Sequence, residues 1–137
     1  MGLMIDSTVL VEAERRKRSP ADLNRELIDR WGDVDAAISV MSAGELLHGW
    51  WRGESPSRRS RRGEFIEGVL NSFDIVPITL PVMRIFAEID AKLTARGEKL
   101  PTSDLLIACT ALERGDEVVT GNLRHYARVP DLVVHVA

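Results

Sequence analysis

Three acidic side chains stand where the apolar pattern of this 137-residue chain would bury them. Asp6 follows the apolar run Leu3-Met4-Ile5. Glu45 lies just beyond the run from Ile38 to Met41, and Asp104 opens the stretch Leu105-Leu106-Ile107-Ala108-Cys109. A buried carboxylate is unfavourable unless something cationic meets it. Two like charges about 4 Å apart repel by roughly 4 kcal/mol at an effective dielectric of about 20, and a shared divalent cation removes that conflict. Oxygen-only ligands favour Mg²⁺ or Mn²⁺, which keep water and accept phosphate oxygens. Zinc is disfavoured, because three scattered histidines and one cysteine show no ligand spacing. Each acid also has a plainer use. Asp6 could cap the next helix, Glu45 could close an S-x-x-E capping box with Ser42, and Asp104 could sit in a first turn favoured by the helix dipole.

The elements that must position these acids follow from the hydrophobic pattern. Short apolar runs at 3–5, 36–41, 74–78, 117–120 and 132–136 read as buried strands. Helices are expected over 8–18, capped by Ser7 or Thr8, and over 20–31, with Leu23, Leu27, Ile28 and Trp31 on one stripe and Gly32 at its end. A helix capped by Ser42 should carry Glu45, Leu46, Leu47 and Trp50. After a polar break at 53–57, a long helix is expected over 58–72. The next runs over 81–96 with Pro81 in its first turn, and the last from Pro101 or Thr102 to Gly115. Strands alternating with helices predict an α/β fold with a parallel sheet covered on both faces, in one domain over 1–137.

In such a sheet, ligands gather beyond the carboxyl ends of the strands. Asp6 ends the first strand, Glu45 follows the second, and Thr120 and Asn122 follow the fourth. Asp104 comes after a helix–helix connection, so the strand rule does not place it.

Composition narrows the function classes. Hydrophobic content of 45% and charged content of 28% suit a soluble globular protein. No apolar run reaches the roughly 20 residues of a membrane span. The N-terminus reads as a first strand rather than a leader, so a cytoplasmic location is expected. Cys109 reads as a small buried hydrophobe. His48 reads as a surface histidine, and Trp50 and Trp51 as packed in the core or at an interface. Net charge is −3, yet Arg15-Arg16-Lys17-Arg18 and Arg58, Arg59, Arg61 and Arg62 hold eight of the 18 basic residues. Such blocks could track a phosphate backbone. Phosphate-cradling glycine loops and the G-x-S-x-G elbow are absent. An aspartyl-phosphate phosphatase would want an Asp at position 8, where Thr8 stands.

The segments MIDSTVLVE, ISVMSAGELLHG, LPTSDLLIACTALERG and VVTGNLRHYARVPDLVV, in this order and spacing, resemble the PIN-domain family and its VapC-type toxins. The resemblance spans essentially the whole chain. It implies a three-layer α/β/α fold with about five parallel strands. It also implies a Mg²⁺- or Mn²⁺-dependent endoribonuclease, usually a homodimer, silenced by a cognate antitoxin. By motif, Asp6, Glu45 and Asp104 become the metal ligands, and the resemblance supplies the placement of Asp104. Many relatives carry a fourth acid in the T-x-D/N-x-x-x-F/Y segment. Here Asn122 stands there, able to orient a metal-bound water with support from Thr120, so one firmly held ion is expected. The expected chemistry is in-line hydrolysis of an RNA phosphodiester by metal-activated water. Competing readings are a non-catalytic module whose acidic pocket takes a partner's arginine, and a metal-dependent nuclease acting on DNA.

Overall fold

The computed structural model describes residues 2–53 and 55–137. Glu54, within the expected polar break, lies outside the described residues. The elements run β1 (Leu3–Ile5), α1 (Ser7–Arg15), α2 (Pro20–Trp31), β2 (Ala36–Ser39), α3 (Val40–Trp51) and α4 (Pro56–Ser72). There follow β3 (Asp74–Val76), α5 (Leu80–Ala95), α6 (Thr102–Arg114), β4 (Glu117–Thr120), α7 (Leu123–Tyr126) and β5 (Val134–Val136). The five strands form one parallel sheet in the order β3-β2-β1-β4-β5.

Strand side chains alternate between faces, and each face has its own core. Met4, Ala37 and Val118 pack with α5 and α6 through Val82, Leu93, Leu105 and Ala108. Leu3, Ile5, Ile38 and Val119 pack on the other side with Leu10, Leu23, Leu27, Ile66 and Val69 from α1, α2 and α4. The result is the three-layer α/β/α arrangement expected. Among the described residues no helix is long and apolar enough to cross a membrane.

Local signals set most boundaries, and several differ from expectation. Ser39, not Ser42, caps α3, accepting the Met41 N–H at 3.1 Å. The capping box of Ser42 with Glu45 therefore does not form. Ser42 lies inside the helix, buried, its Oγ without a partner among the described residues. The apolar pair Val40-Met41 continues the helical register rather than the strand, and Glu45 is released from capping. Ser55 starts α4 at Pro56 by accepting from Arg58 N–H at 3.2 Å. Helix α1 stops at Arg15, because Lys17 turns left-handed at φ 57°. Strand β3 stops before Pro77, which has no N–H to donate. On α2, Leu23 and Leu27 are buried, but Ile28 is 41% exposed.

Cys109 is buried, and desolvation pushes its thiol up to about 12. His48 is exposed. Trp50 packs against the α1–α2–α4 core, whereas Trp51 is 69% exposed, which removes the core reading for Trp51 and keeps the interface one. The α3–α4 crossing excludes a second large group there. A Cβ on Gly63 would come within 2.6 Å of the Trp50 ring.

Candidate active site at the carboxyl edge of the sheet

Strands β1 and β4 are neighbours, and both end at this edge. The Asp6 N–H extends their pairing by donating to Val119 O at 2.9 Å, which fixes the aspartate at the strand end. Asp6 holds the N-cap position of α1 but caps nothing with its side chain. Its carboxylate faces three hydroxyl groups instead. Thr8 Oγ1 and Thr120 Oγ1 donate to Oδ2 at 2.6 and 2.8 Å, and the Tyr126 hydroxyl donates to Oδ1 at 2.8 Å. Asp6 is only 1% exposed.

The direction of these bonds is imposed by the backbone. Thr8 Oγ1 accepts the Gly121 N–H at 2.9 Å, and Thr120 Oγ1 accepts the Asn122 N–H at 2.8 Å. Each hydroxyl is thus left to give its own proton to Asp6. A carboxylate has about four lone-pair sites, so three donors leave roughly one free, on Oδ1. Hydroxyl donors favour the ionised form but bring no positive charge.

Glu45 comes from the second turn of α3 and reaches toward the start of α1, where Ser7 Oγ donates to its Oε1 at 3.2 Å. Burial pushes the Glu45 carboxyl above the ordinary range, and the charges of Asp6 and Asp104 push it further, against the opposing bond from Ser7. Tyr126 is raised by burial first, then by the charges of Asp6 and Asp104, with Glu45 contributing least. Both responses require the three carboxylates to share one electrostatic neighbourhood.

Asp104 lies in the first turn of α6. Its presence at this edge has a topological cause. Helix α6 must deliver the chain to the amino end of β4 through the left-handed turn at Gly115, so its own start lies at the carboxyl edge. Asp104 Oδ2 stands 2.6 Å from His125 Nδ1, which also lies 2.9 Å from Asn122 Nδ2. One ring nitrogen cannot donate and accept at once. With Asp104 ionised, Nδ1 carries the proton and gives it to the carboxylate. That assignment leaves the Asn122 amide nitrogen, itself a donor, without an acceptor on this ring.

The structure thus brings Asp6, Glu45 and Asp104 to one edge, with Asn122 beside them. Four contributors were not read as site residues from the sequence: Ser7, Thr8, His125 and Tyr126. The last two sit on α7, a single turn too short for a periodic signal. The only available hint was the aromatic closing T-x-N-x-x-x-Y. Among the described residues no three His, Cys, Asp or Glu groups close into a ready cage for a metal ion. The donor chemistry nonetheless suits a hard divalent cation, since Mg²⁺ is commonly held by one or two carboxylates with water completing its shell.

The PIN domain family model matches residues 3–132. A protein named Ribonuclease VapC from Rickettsia bellii is 30% identical, covering 98% of this chain and 95% of its own length. The tRNA(fMet)-specific endonuclease VapC of Shigella flexneri is 26% identical over 94% of this chain and 92% of its own. Among solved structures, VapBC2 from Rickettsia felis, bound to a DNA fragment from its promoter, superposes with a TM-score of 0.83 at 22% identity, covering 100% of this chain and 99% of that one. With the family pattern running nearly end to end and joined to this fold, the chain belongs to the PIN-domain family, in its VapC-type branch.

Proposed function

We propose that this protein is a Mg²⁺- or Mn²⁺-dependent endoribonuclease, the toxin of a toxin–antitoxin pair, acting as a homodimer in the cytoplasm. The observation that carries the reading is Asp6, buried and ionisable yet met only by hydroxyl donors. Glu45 and Asp104 raise the local negative potential further, which favours binding of a cation. The ribonuclease names of the 30%-identical and other relatives support the reaction class. The VapBC complexes among the structural neighbours support an antitoxin partner.

A bound divalent ion would supply charge neutralisation at the scissile phosphate and a water acidified enough to attack it. The chain's own groups have separate tasks. Asp6, Glu45 and Asp104 would hold the ion directly or through water. Thr8, Thr120 and Tyr126 keep Asp6 in one orientation, so no reorganisation is needed during reaction. Ser7 positions Glu45. His125 aligns Asp104, and Asn122 would orient a metal-bound water.

Purified protein incubated with labelled transfer RNA, ribosomal RNA and single-stranded DNA, with and without Mn²⁺, tests the proposal. RNA cleavage that requires the metal and disappears in Asp104→Asn is expected. Cleavage that survives a chelator, or full activity of Asp104→Asn, would sink it. Preferential cutting of the DNA would transfer the activity to the other nuclease class.

A further inference from the structure

The two basic blocks are about 40 residues apart in sequence, yet they meet in space. Arg15, Lys17 and Arg18, after α1, and Arg58, Arg61 and Arg62, on the first turns of α4, line one open groove of about 700 Å³. Among the described residues, Glu14 and Glu64 are the only acids lining this groove, on a chain whose net charge is −3. Positive charge is therefore concentrated here against the average of the molecule.

Arg62 pins the groove to the rest of the fold. Its Nε lies 3.4 Å from Glu14 Oε1 and its Nη1 donates to Gly49 O at 3.1 Å. Gly49 is one turn beyond Glu45 on α3, about 6 Å of helical rise, and Arg15 lies about 13 Å of helical rise along α1 from Asp6. Arg15 and Arg18 make exposed pairs with Glu12 and Glu26, which solvent weakens. Lys17, Arg58 and Arg61 make no ion pair among the described residues.

A second observation comes from Trp51. It is 69% exposed and stacks on Trp50 with centroids 6.0 Å apart, while the Arg59 guanidinium lies 5.7 Å from its ring. Trp50 is itself wedged against Gly63 of α4. A braced, open indole beside a line of arginines is the combination that binds single-stranded nucleic acid. The cations follow phosphates, and the ring takes an unstacked base.

Lys17 supplies a third. Helices α1, α5 and α6 end in the same double-bonded turn. Arg18 and Lys17 N–H groups return to Ala13 and Glu14, those of Glu98 and Gly97 to Leu93 and Thr94, and those of Asp116 and Gly115 to Ala111 and Leu112. The left-handed position is glycine in two of them, Gly97 at φ 69° and Gly115 at φ 72°. In α1 it is Lys17, at φ 57°. A side chain there is strained, and it holds the ammonium in the groove.

We propose that this groove and Trp51 form the track for a single strand of RNA, with phosphates along the arginines and one base on the indole. The inference rests on the endoribonuclease reading and names where the substrate lies outside the acidic cluster. The carboxylates repel RNA unless a cation is present, so binding in a chelator isolates the groove.

The test is the anisotropy of a short fluorescent oligouridine with full-length protein in chelator, between about 50 and 200 mM salt. Arg58→Ala with Arg61→Ala should weaken binding at least tenfold at low salt. The slope of log affinity against log salt should become shallower by about 1.4, or 0.7 per lost contact. Trp51→Ala should weaken RNA about fivefold or more while affecting a DNA duplex of equal length little. Lys17→Gly should melt higher yet bind less tightly, a pairing that misfolding cannot produce. Arg84→Ala with Arg96→Ala, on α5 and at its C-cap, removes equal charge and should leave the affinity near wild type.

Groove variants indistinguishable from the α5 control overturn the proposal. So does a Trp51→Ala protein that binds RNA normally but loses self-association in sedimentation, which would make this face a contact between copies. Cleavage assays with Mn²⁺ separate the two claims. Wild-type cutting with intact binding and cutting by the groove variants defeats the track alone. Groove-dependent binding without any cutting defeats the nuclease reading alone.

Discussion

The acidic cluster and the basic groove face opposite electrostatic problems, and the fold builds them differently. Asp6 and Thr120 sit at the ends of central strands, 1% and 0% exposed, with hydroxyl directions dictated by backbone amides. Arg58, Arg61 and Lys17 sit on exposed helix ends. The difference reflects what each site must do. Chemistry on a phosphate needs groups that do not reorganise, so it is built on buried strand ends. Holding a flexible polymer needs reach and positive potential, which mobile surface cations supply.

Asp6→Asn should separate the regions most sharply. It should lower RNA cleavage about a hundredfold or more, while oligouridine affinity in chelator is not weakened, since a negative charge has been removed. Weakened binding would show that the regions are not independent. Tyr126→Phe should reduce cleavage about 10- to 100-fold and destabilise the protein by roughly 1–2 kcal/mol, because it deletes a buried bond to a charged acceptor. Measured turnover and thermal melts check both.

Gly63→Ala probes the link between the regions. Alanine improves helix propensity by about 1 kcal/mol, but a methyl 2.6 Å from the Trp50 ring costs about 1–3 kcal/mol in overpacking. A net loss of roughly 1 kcal/mol and weaker oligouridine binding are expected; a gain in melting temperature would show that α3 and α4 separate freely.

The smallest effect concerns pH. The Glu45 carboxyl is raised in the folded protein, so at low pH both states are protonated and nothing is lost. As pH rises past the ordinary value of 4.5, the unfolded chain ionises first and stability falls until the folded carboxyl also ionises. Glu45→Gln should therefore melt slightly above wild type at pH 7, a gap that solvent screening of this exposed side chain keeps small and that closes at pH 4. Adding Mn²⁺ should raise wild type more than the variant. A gap that widens on acidification would place Glu45 outside the shared negative field.

Much of this was readable before any coordinates. The stripe of Val82, Ile89 and Leu93 on α5 is buried as its spacing requires. Asp6 and Glu45 reach the expected edge because both follow parallel strands. The capping alternative for Glu45 fails because S-x-x-E looks the same in a helix interior and at its start. Only the bond from Met41 N–H to Ser39 distinguished them. Asp104 needed the direction of α6, a consequence of where β4 begins. The sequence left Trp51 between core and interface, because burial of a tryptophan depends on which helix crosses it.

The sequence by itself determined the α/β alternation, the apolar faces and which side chains carry charge, because these depend on periodicity and residue chemistry over short spans. Tertiary structure alone decided that Thr120 and Tyr126 converge on Asp6, and that residues 15–18 meet residues 58–62. Those contacts join segments about 40 to 120 residues apart, and no local pattern encodes a distance that only the packed sheet and helices create.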